Sequence, residues 1–334
     1  MWSDYKQKFC QACRFFGKAC RGVVVNLIKT EITNIGDPFL LKDDGTYYMY
    51  ATSAGDGFLV WKGTELTNLT LVGHCMTKPD TYGENCFWAP EVVKRADGKY
   101  VMHYTARLEG RGQRCGVAVA DDPCGPFVDV YPGKPMFDYG YQVIDATVFA
   151  DDDGQHYIYY VRDCWDNVVD GVHTSQIYGA QLDDTLTKIT SEPVLIATPQ
   201  KPWECHKVPA PCMCDVDRYI MEGMKVEFLW NEAPYVIKRD GKYLLTYSFN
   251  CFDSRYYGIG LAKSDKPLGE FVKCDEPLLQ INDGDICGVG HSAFFNDKNG
   301  KLTLVAHCHA DYAHPDGNRR IVFCDGEELL AKVK

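Results

Sequence analysis

The chain repeats itself. Five times a short apolar run leads into a Gly-containing turn and then into an aromatic-rich alternating run, over residues 37–53, 89–107, 145–163, 232–250 and 291–309. Each segment reads as a β-hairpin. Asp-Gly or Asn-Gly supplies the positive φ angles a tight turn requires, and the flanks are rich in Val, Ile, Tyr and Phe. A weaker strand pair follows each hairpin, starting at Gly57, Gly116, Ile177, Ile259 and Arg319. Each unit therefore carries about four strands. Four-stranded units repeated along one chain predict an all-β fold, a five-bladed β-propeller with about four antiparallel strands per blade.

The turn glycines fix the period. Gly45, Gly98, Gly154, Gly241 and Gly300 follow one another at intervals of 53, 56, 87 and 59 residues. The long third interval predicts an insertion of about thirty residues around 198–230, and insertions of this kind sit on one face and often shape a ligand pocket. Residues 1–30 fall outside the repeat. They combine six Lys and Arg with Phe, Cys and Val, and read as a helix or an edge strand that packs on or closes the ring. Residues 31–334 form the propeller domain. The length of 334 residues suits a single closed all-β unit.

Composition narrows the partners. A net charge of −11 repels phosphate backbones and argues against nucleic acid. No stretch is long and apolar enough to span a bilayer, so no membrane partner is expected. Sixteen cysteines without a recognisable signal peptide read as reduced, buried thiols of a cytoplasmic protein. The Cys10/Cys13 and Cys212/Cys214 pairs each lack the second pair that a structural zinc needs.

At the start of the first strand in each unit stand Asp37, Glu91, Asp145, Glu232 and His291, seven to nine positions before the turn glycine. A lone acid there reads as a solvated strand opener. Five polar residues in phase predict convergence at the ring axis, where carboxylates repel one another and shift each other's pKa values. Two carboxylates across a sugar ring are the equipment of glycoside cleavage: one donates a proton to the leaving oxygen, and the other activates water or attacks the anomeric carbon. A third acid nearby keeps the donor protonated.

The motifs Gly36-Asp37-Pro38-Phe39, Trp88-Ala89-Pro90-Glu91, Ile144-Asp145-Ala146, Glu232-Ala233-Pro234-Tyr235 and Gly290-His291-Ser292, in this order and phase, resemble glycoside hydrolase family 43, whose members are five-bladed propellers. The resemblance covers nearly all of residues 33–330. It implies that Asp37 is the general base, that Asp145 holds the sugar and tunes its neighbour, and that Glu232 is the general acid. It also implies inversion of configuration, with Asp37 and Glu232 roughly 6.5–9.5 Å apart. His291 matches a histidine that commonly helps hold a calcium ion or an ordered water; the chemistry itself requires no cofactor. Glu91 is expected in a structural or metal-shell role. Trp88 stacks on a sugar or belongs to the core. Arg320, ahead of Arg319, resembles a substrate-binding arginine of the last blade.

Retaining relatives of this fold use Arg-Asp and Glu-Cys motifs, and the chain contains Arg162-Asp163-Cys164 and Trp203-Glu204-Cys205. Asp163 ends a second strand and Glu204 lacks a turn glycine at the blade spacing, so phase favours the inverting set. The substrate implied is an oligosaccharide. The reading is exo-acting release of terminal α-L-arabinofuranose, with β-D-xylosidase or galactofuranosidase activity, or a non-catalytic glycan-binding propeller, left as alternatives.

Overall fold

The computed structural model describes residues 26–204, 228–315 and 318–331. Most of the 1–30 segment, most of the expected insertion, and Cys10, Cys13, Cys20, Cys212 and Cys214 lie outside the described residues. Among the described residues no helix is long and apolar enough to cross a membrane.

Five four-stranded antiparallel sheets follow one another along the chain. The first is Gly36–Asp43, Thr46–Thr52, Gly57–Gly63 and Thr70–Thr77. The second is Asn85–Lys94, Tyr100–Leu108, Gly112–Ala120 and Val128–Asp129. Val143–Ala150, His156–Arg162, Gln176–Leu182 and Val194–Ala197 make the third. The fourth is Asn231–Arg239, Lys242–Phe249, Gly258–Ser264 and Val272–Lys273. In the fifth, Gly290–Asn296, Leu302–His309 and Arg319–Asp325 take their outermost partner from the other end of the chain, the strand Ile28–Thr33. All five hairpin glycines adopt φ between +74° and +87°, the conformation that Asp-Gly and Asn-Gly turns demand.

Two strand readings need correction. The weaker strand pair expected from Ile177 runs over 177–190, but the third sheet closes on Val194–Ala197, and residues 185–190 do not supply its fourth strand. That stretch is held in a turn by Asp183, whose Oδ1 accepts from the backbone N–H of Thr187 and of Lys188, both at 3.0 Å. In the last unit the chain after Asp325 forms a short helix, Gly326–Leu330, capped by Asp325 Oδ1 accepting from Glu328 N–H at 3.0 Å. The fourth strand is therefore the N-terminal one.

Apolar layers lie between successive sheets. Tyr50, Phe58 and Tyr104 pack between the first and second, and Val101, Ile158 and Tyr160 between the second and third. Tyr159 and Tyr247 join the third to the fourth, Leu261 and Leu304 the fourth to the fifth, and Phe295 and Phe323 the fifth to the first. The inner strands touch in the same cyclic order, the fifth returning to the first.

Each inner strand also breaks its pairing near its start, the second one twice, with Cys86 (φ +55°) at the extra break. In each, one register shift crosses a single left-handed residue: Asp37 (φ +53°), Ala89 (+45°), Asp145 (+54°), Ala233 (+50°) and His291 (+48°). Such residues cost about 1–3 kcal/mol each, so five in register imply that the surroundings hold them. A chain of hydrogen bonds does so from sheet to sheet. Thr52 Oγ1 accepts from Ala89 N–H (2.9 Å), Thr105 Oγ1 from Asp145 N–H (3.0 Å), Ser248 Oγ from His291 N–H (2.7 Å) and His307 Nδ1 from Asp37 N–H (3.1 Å). The remaining N–H, of Ala233, meets Asp145 Oδ2 at 2.9 Å.

Candidate active site

The five left-handed residues and Glu91 line one small cavity at the centre of the ring. The convergence expected for Asp37, Asp145, Glu91 and His291 is thus present, but the positions are not equivalent. Asp37, Asp145 and His291 occupy the left-handed position itself, Glu232 stands one residue before it, and Glu91 two residues after it. A bulge changes the face a side chain points to, so counting back from the turn glycine placed the acids in one register when they occupy three. Trp88 shares Glu232's place in its own strand and is half-buried, its ring against the apolar layer around Ile144.

Asp37 is buried among positive and hydrogen-bonding groups. Arg319 Nη1 lies 2.7 Å from Oδ1, His291 Nδ1 3.2 Å from the same oxygen, and Thr52 Oγ1 2.5 Å from Oδ2. Burial alone would raise its pKa; the Arg319 guanidinium, the two histidines and the Thr52 hydroxyl outweigh it and hold the carboxyl well below the usual carboxylate range. His307, pushed well below 6.5 chiefly by burial, is a neutral acceptor for the Asp37 N–H.

Glu232 is tuned the other way. Its Oε1 accepts from the Tyr257 hydroxyl at 2.6 Å. Burial, then the negative charges of Asp37 and Asp163, push it up to about 8 against the pull of Tyr257 and Arg319. Asp145 is raised to about 7, by burial and by Glu232 and Asp37. At neutral pH an ionised Asp37 therefore stands with a protonated Glu232, a base and an acid in one buried cluster, which is the division of labour acid–base catalysis needs.

A half-buried aromatic group lies beside Glu232. Trp230, two residues earlier, packs with Cys164 and Cys251, and Trp165, Phe228 and Phe252 pack against that cluster. Phe228 stacks on Trp230 at 5.3 Å between centroids, and the Arg319 guanidinium lies 4.7 Å from the Phe252 ring centre.

The profile of the family described as glycosyl hydrolases family 43 matches residues 32–324. The chain belongs to glycosyl hydrolase family 43. It is 36% identical to a thermostable family-43 glycoside hydrolase of known structure, with a TM-score of 0.79 over 90% of this chain and 92% of that one. It is 25% identical to the β-D-galactofuranosidase xynD of Aspergillus niger, over 66% of this chain and 56% of that protein. It is 23% identical to α-L-arabinofuranosidase 43 of Humicola insolens, over 88% of this chain and 58% of that protein. The chain thus spans a little over half the length of these two curated relatives.

Several site residues of this family-43 chain differ from the sequence expectation. Arg319, not Arg320, reaches the site; successive strand residues face opposite ways, and Arg320 Nη1 points to Thr30 O on the edge strand at 3.2 Å. Asp163, set aside on phase, is buried and close enough to act on Glu232. Glu204, the other rejected acid, is buried in an ion pair with Lys273 and accepts from Asn231 Nδ2 at 3.2 Å. No sequence pattern marked Tyr257 or His307. The surroundings of His291 show no calcium site among the described residues. Its Nδ1 is turned to an Asp37 carboxylate that already carries a guanidinium, and no metal-binding cluster of three or more His, Cys, Asp or Glu occurs among the described residues. All ten cysteines among the described residues are free thiols, and seven are buried.

Gly36 makes room for Arg319. A Cβ at this position would lie 2.0 Å from the Arg319 Cζ, so Gly36→Ala must displace the guanidinium from Asp37. Activity is expected to fall about a hundredfold, and the acidic limb of the pH–rate profile to move up as Asp37 loses its strongest positive neighbour. An unchanged profile would show that Arg319 does not set the ionisation of Asp37.

Glu91 offers a stability test. It is raised from 4.5 to about 8, mainly by burial and also by Asp145, and its Oε2 has no hydrogen-bond partner. The folded chain therefore binds this proton more tightly than the unfolded chain. Nothing is lost at a pH below the unfolded value, and stability falls as pH rises from there through about 8. Glu91→Gln should raise the melting temperature clearly more at pH ~9 than at pH ~5. An equal change at both would mean that Glu91 is not held protonated by the fold.

Proposed function

We propose that the protein is a five-bladed β-propeller glycosidase, inverting and exo-acting, that releases terminal α-L-arabinofuranose from arabinose-containing oligosaccharides. The propeller reading is supported by five four-stranded sheets whose inner strands touch in a closed cycle around one cavity. The catalytic reading is carried by one observation: Asp37 sits against Arg319 and stays ionised, while Glu232, buried and beside two other acids, keeps its proton. Asp37 takes the proton of the attacking water, Glu232 gives its own to the leaving oxygen, and Asp145, itself raised to about 7, adds negative charge near Glu232 as it ionises. Because the leaving group lies on the side of the proton donor, Trp165 and Phe228 supply an apolar wall for the next sugar. The exposed part of the half-buried Trp88, at Glu232's place in the second sheet, is left for the sugar to be released.

The arabinofuranose assignment rests on the names of relatives such as the Humicola insolens enzyme; the Aspergillus niger relative keeps galactofuranose in view, and xylose is the third candidate. Nitrophenyl α-L-arabinofuranoside, β-D-xyloside and β-D-galactofuranoside assayed side by side decide the point. The arabinofuranoside should give the highest kcat/KM. A faster xyloside or galactofuranoside would replace that assignment, and oligosaccharide binding without release of any sugar would overturn catalysis itself.

A further inference from the structure

The hydrogen-bond ring that supports the left-handed residues has one irregular member. In four sheets the acceptor stands at the same place, on the second strand opposite the residue before the left-handed one: Thr52 opposite Gly36, Thr105 opposite Trp88, Ser248 opposite Glu232 and His307 opposite Gly290. The third sheet has Val161 there, opposite Ile144. Valine cannot accept a hydrogen bond, and Val161 is fully buried. The N–H this position would serve belongs to Ala233, the residue joined directly to Glu232, and Asp145 Oδ2 meets it instead at 2.9 Å.

We propose that Asp145 positions the general acid through the backbone as well as through its charge: its carboxylate is the fifth clasp of the ring, in the place of the acceptor that Val161 lacks, and it fixes the Glu232–Ala233 peptide. The proposal rests on the reading of Glu232 as the proton donor. It separates two roles that a single deletion removes together. Asp145→Ala loses both the charge and the clasp. Val161→Thr supplies a hydroxyl in a side chain of the same shape, at the place from which Thr52 and Thr105 serve the next sheet.

The test compares Asp145→Ala with Asp145→Ala/Val161→Thr on an alkyl glycoside, which needs protonation to leave, and on a 2,4-dinitrophenyl glycoside, which does not. The double variant should recover roughly tenfold in kcat on the alkyl substrate, with KM little changed and no recovery on the dinitrophenyl substrate. The basic limb of its pH profile should stay where Asp145→Ala puts it, because no charge has been restored. Absence of recovery in kcat, even with a higher melting temperature, would overturn the proposal and leave Asp145 acting by charge alone. Equal recovery on both substrates would also overturn it, as a general gain in order. Failure of the acid assignment itself reads out separately: Glu232→Gln would then slow both substrates alike.

Discussion

Glu232→Gln is expected to slow hydrolysis of an alkyl glycoside on the order of 10³-fold, yet a 2,4-dinitrophenyl glycoside of the same sugar by less than about tenfold. The side chain keeps its size, and the amide oxygen can still accept from the Tyr257 hydroxyl that now meets Oε1 at 2.6 Å. What is lost is a transferable proton. That proton is present at neutral pH because Glu232 is buried and shares its surroundings with Asp37 and Asp163, which push it up to about 8. For the same reason the parent should lose activity as pH rises through about 8, where Glu232 ionises. Asp145 titrates nearby, so the limb belongs to the coupled pair. A dinitrophenolate leaves unaided, so the alkaline loss should be much weaker with that substrate. An equal fall on both substrates would remove Glu232 from the role of acid.

Asp37→Asn is expected to cost about 10³–10⁴-fold on both substrates, whatever the leaving group. Activation of water is required for every glycoside, and an amide cannot take its proton. The charge is also what Arg319 and His291 gather around, at 2.7 and 3.2 Å from Oδ1. Removing it leaves a largely buried guanidinium without its counter-charge, so the melting temperature should drop near neutral pH, where Asp37 is ionised in both folded and unfolded chains. Because its folded pKa is depressed, that contribution is present above the unfolded value and lost only as pH falls through the lower folded one. A variant that remained active on the dinitrophenyl substrate would show that Asp37 is not the base.

The hairpins were legible because tight turns have few chemical solutions. Gly45, Gly98, Gly154, Gly241 and Gly300 all carry the positive φ that Asp-Gly and Asn-Gly announce, and the strands around them alternate or run apolar as buried sheets do. Closure was less legible: Ile28–Thr33 pairs with Arg319–Asp325 across almost the whole chain, and nothing in a short polar strand names so distant a partner. The acids were found because a carboxylate before an apolar run is conspicuous, but their register was not. A left-handed residue inside a strand is unusual for anything but glycine, and Ala89 and Ala233 give no sign of it. Supporting residues were the hardest to see. Tyr257, His307 and Asp163 reach the site from second strands and loops by three-dimensional proximity alone, and Arg319 differs from Arg320 only in which side of the strand it takes.

If water, not a carboxylate, attacks the sugar carbon while Asp37 takes its proton, the released sugar carries the inverted configuration. Proton NMR in the first minutes of hydrolysis of an α-L-arabinofuranoside reads this directly from the anomeric signal of the released sugar. The β-anomer should appear first and the α-anomer only later, by mutarotation. An α-anomer formed first would mean two displacements through a covalent intermediate, and would contradict the assignment of Asp37 as base and Glu232 as acid on either side of a water molecule.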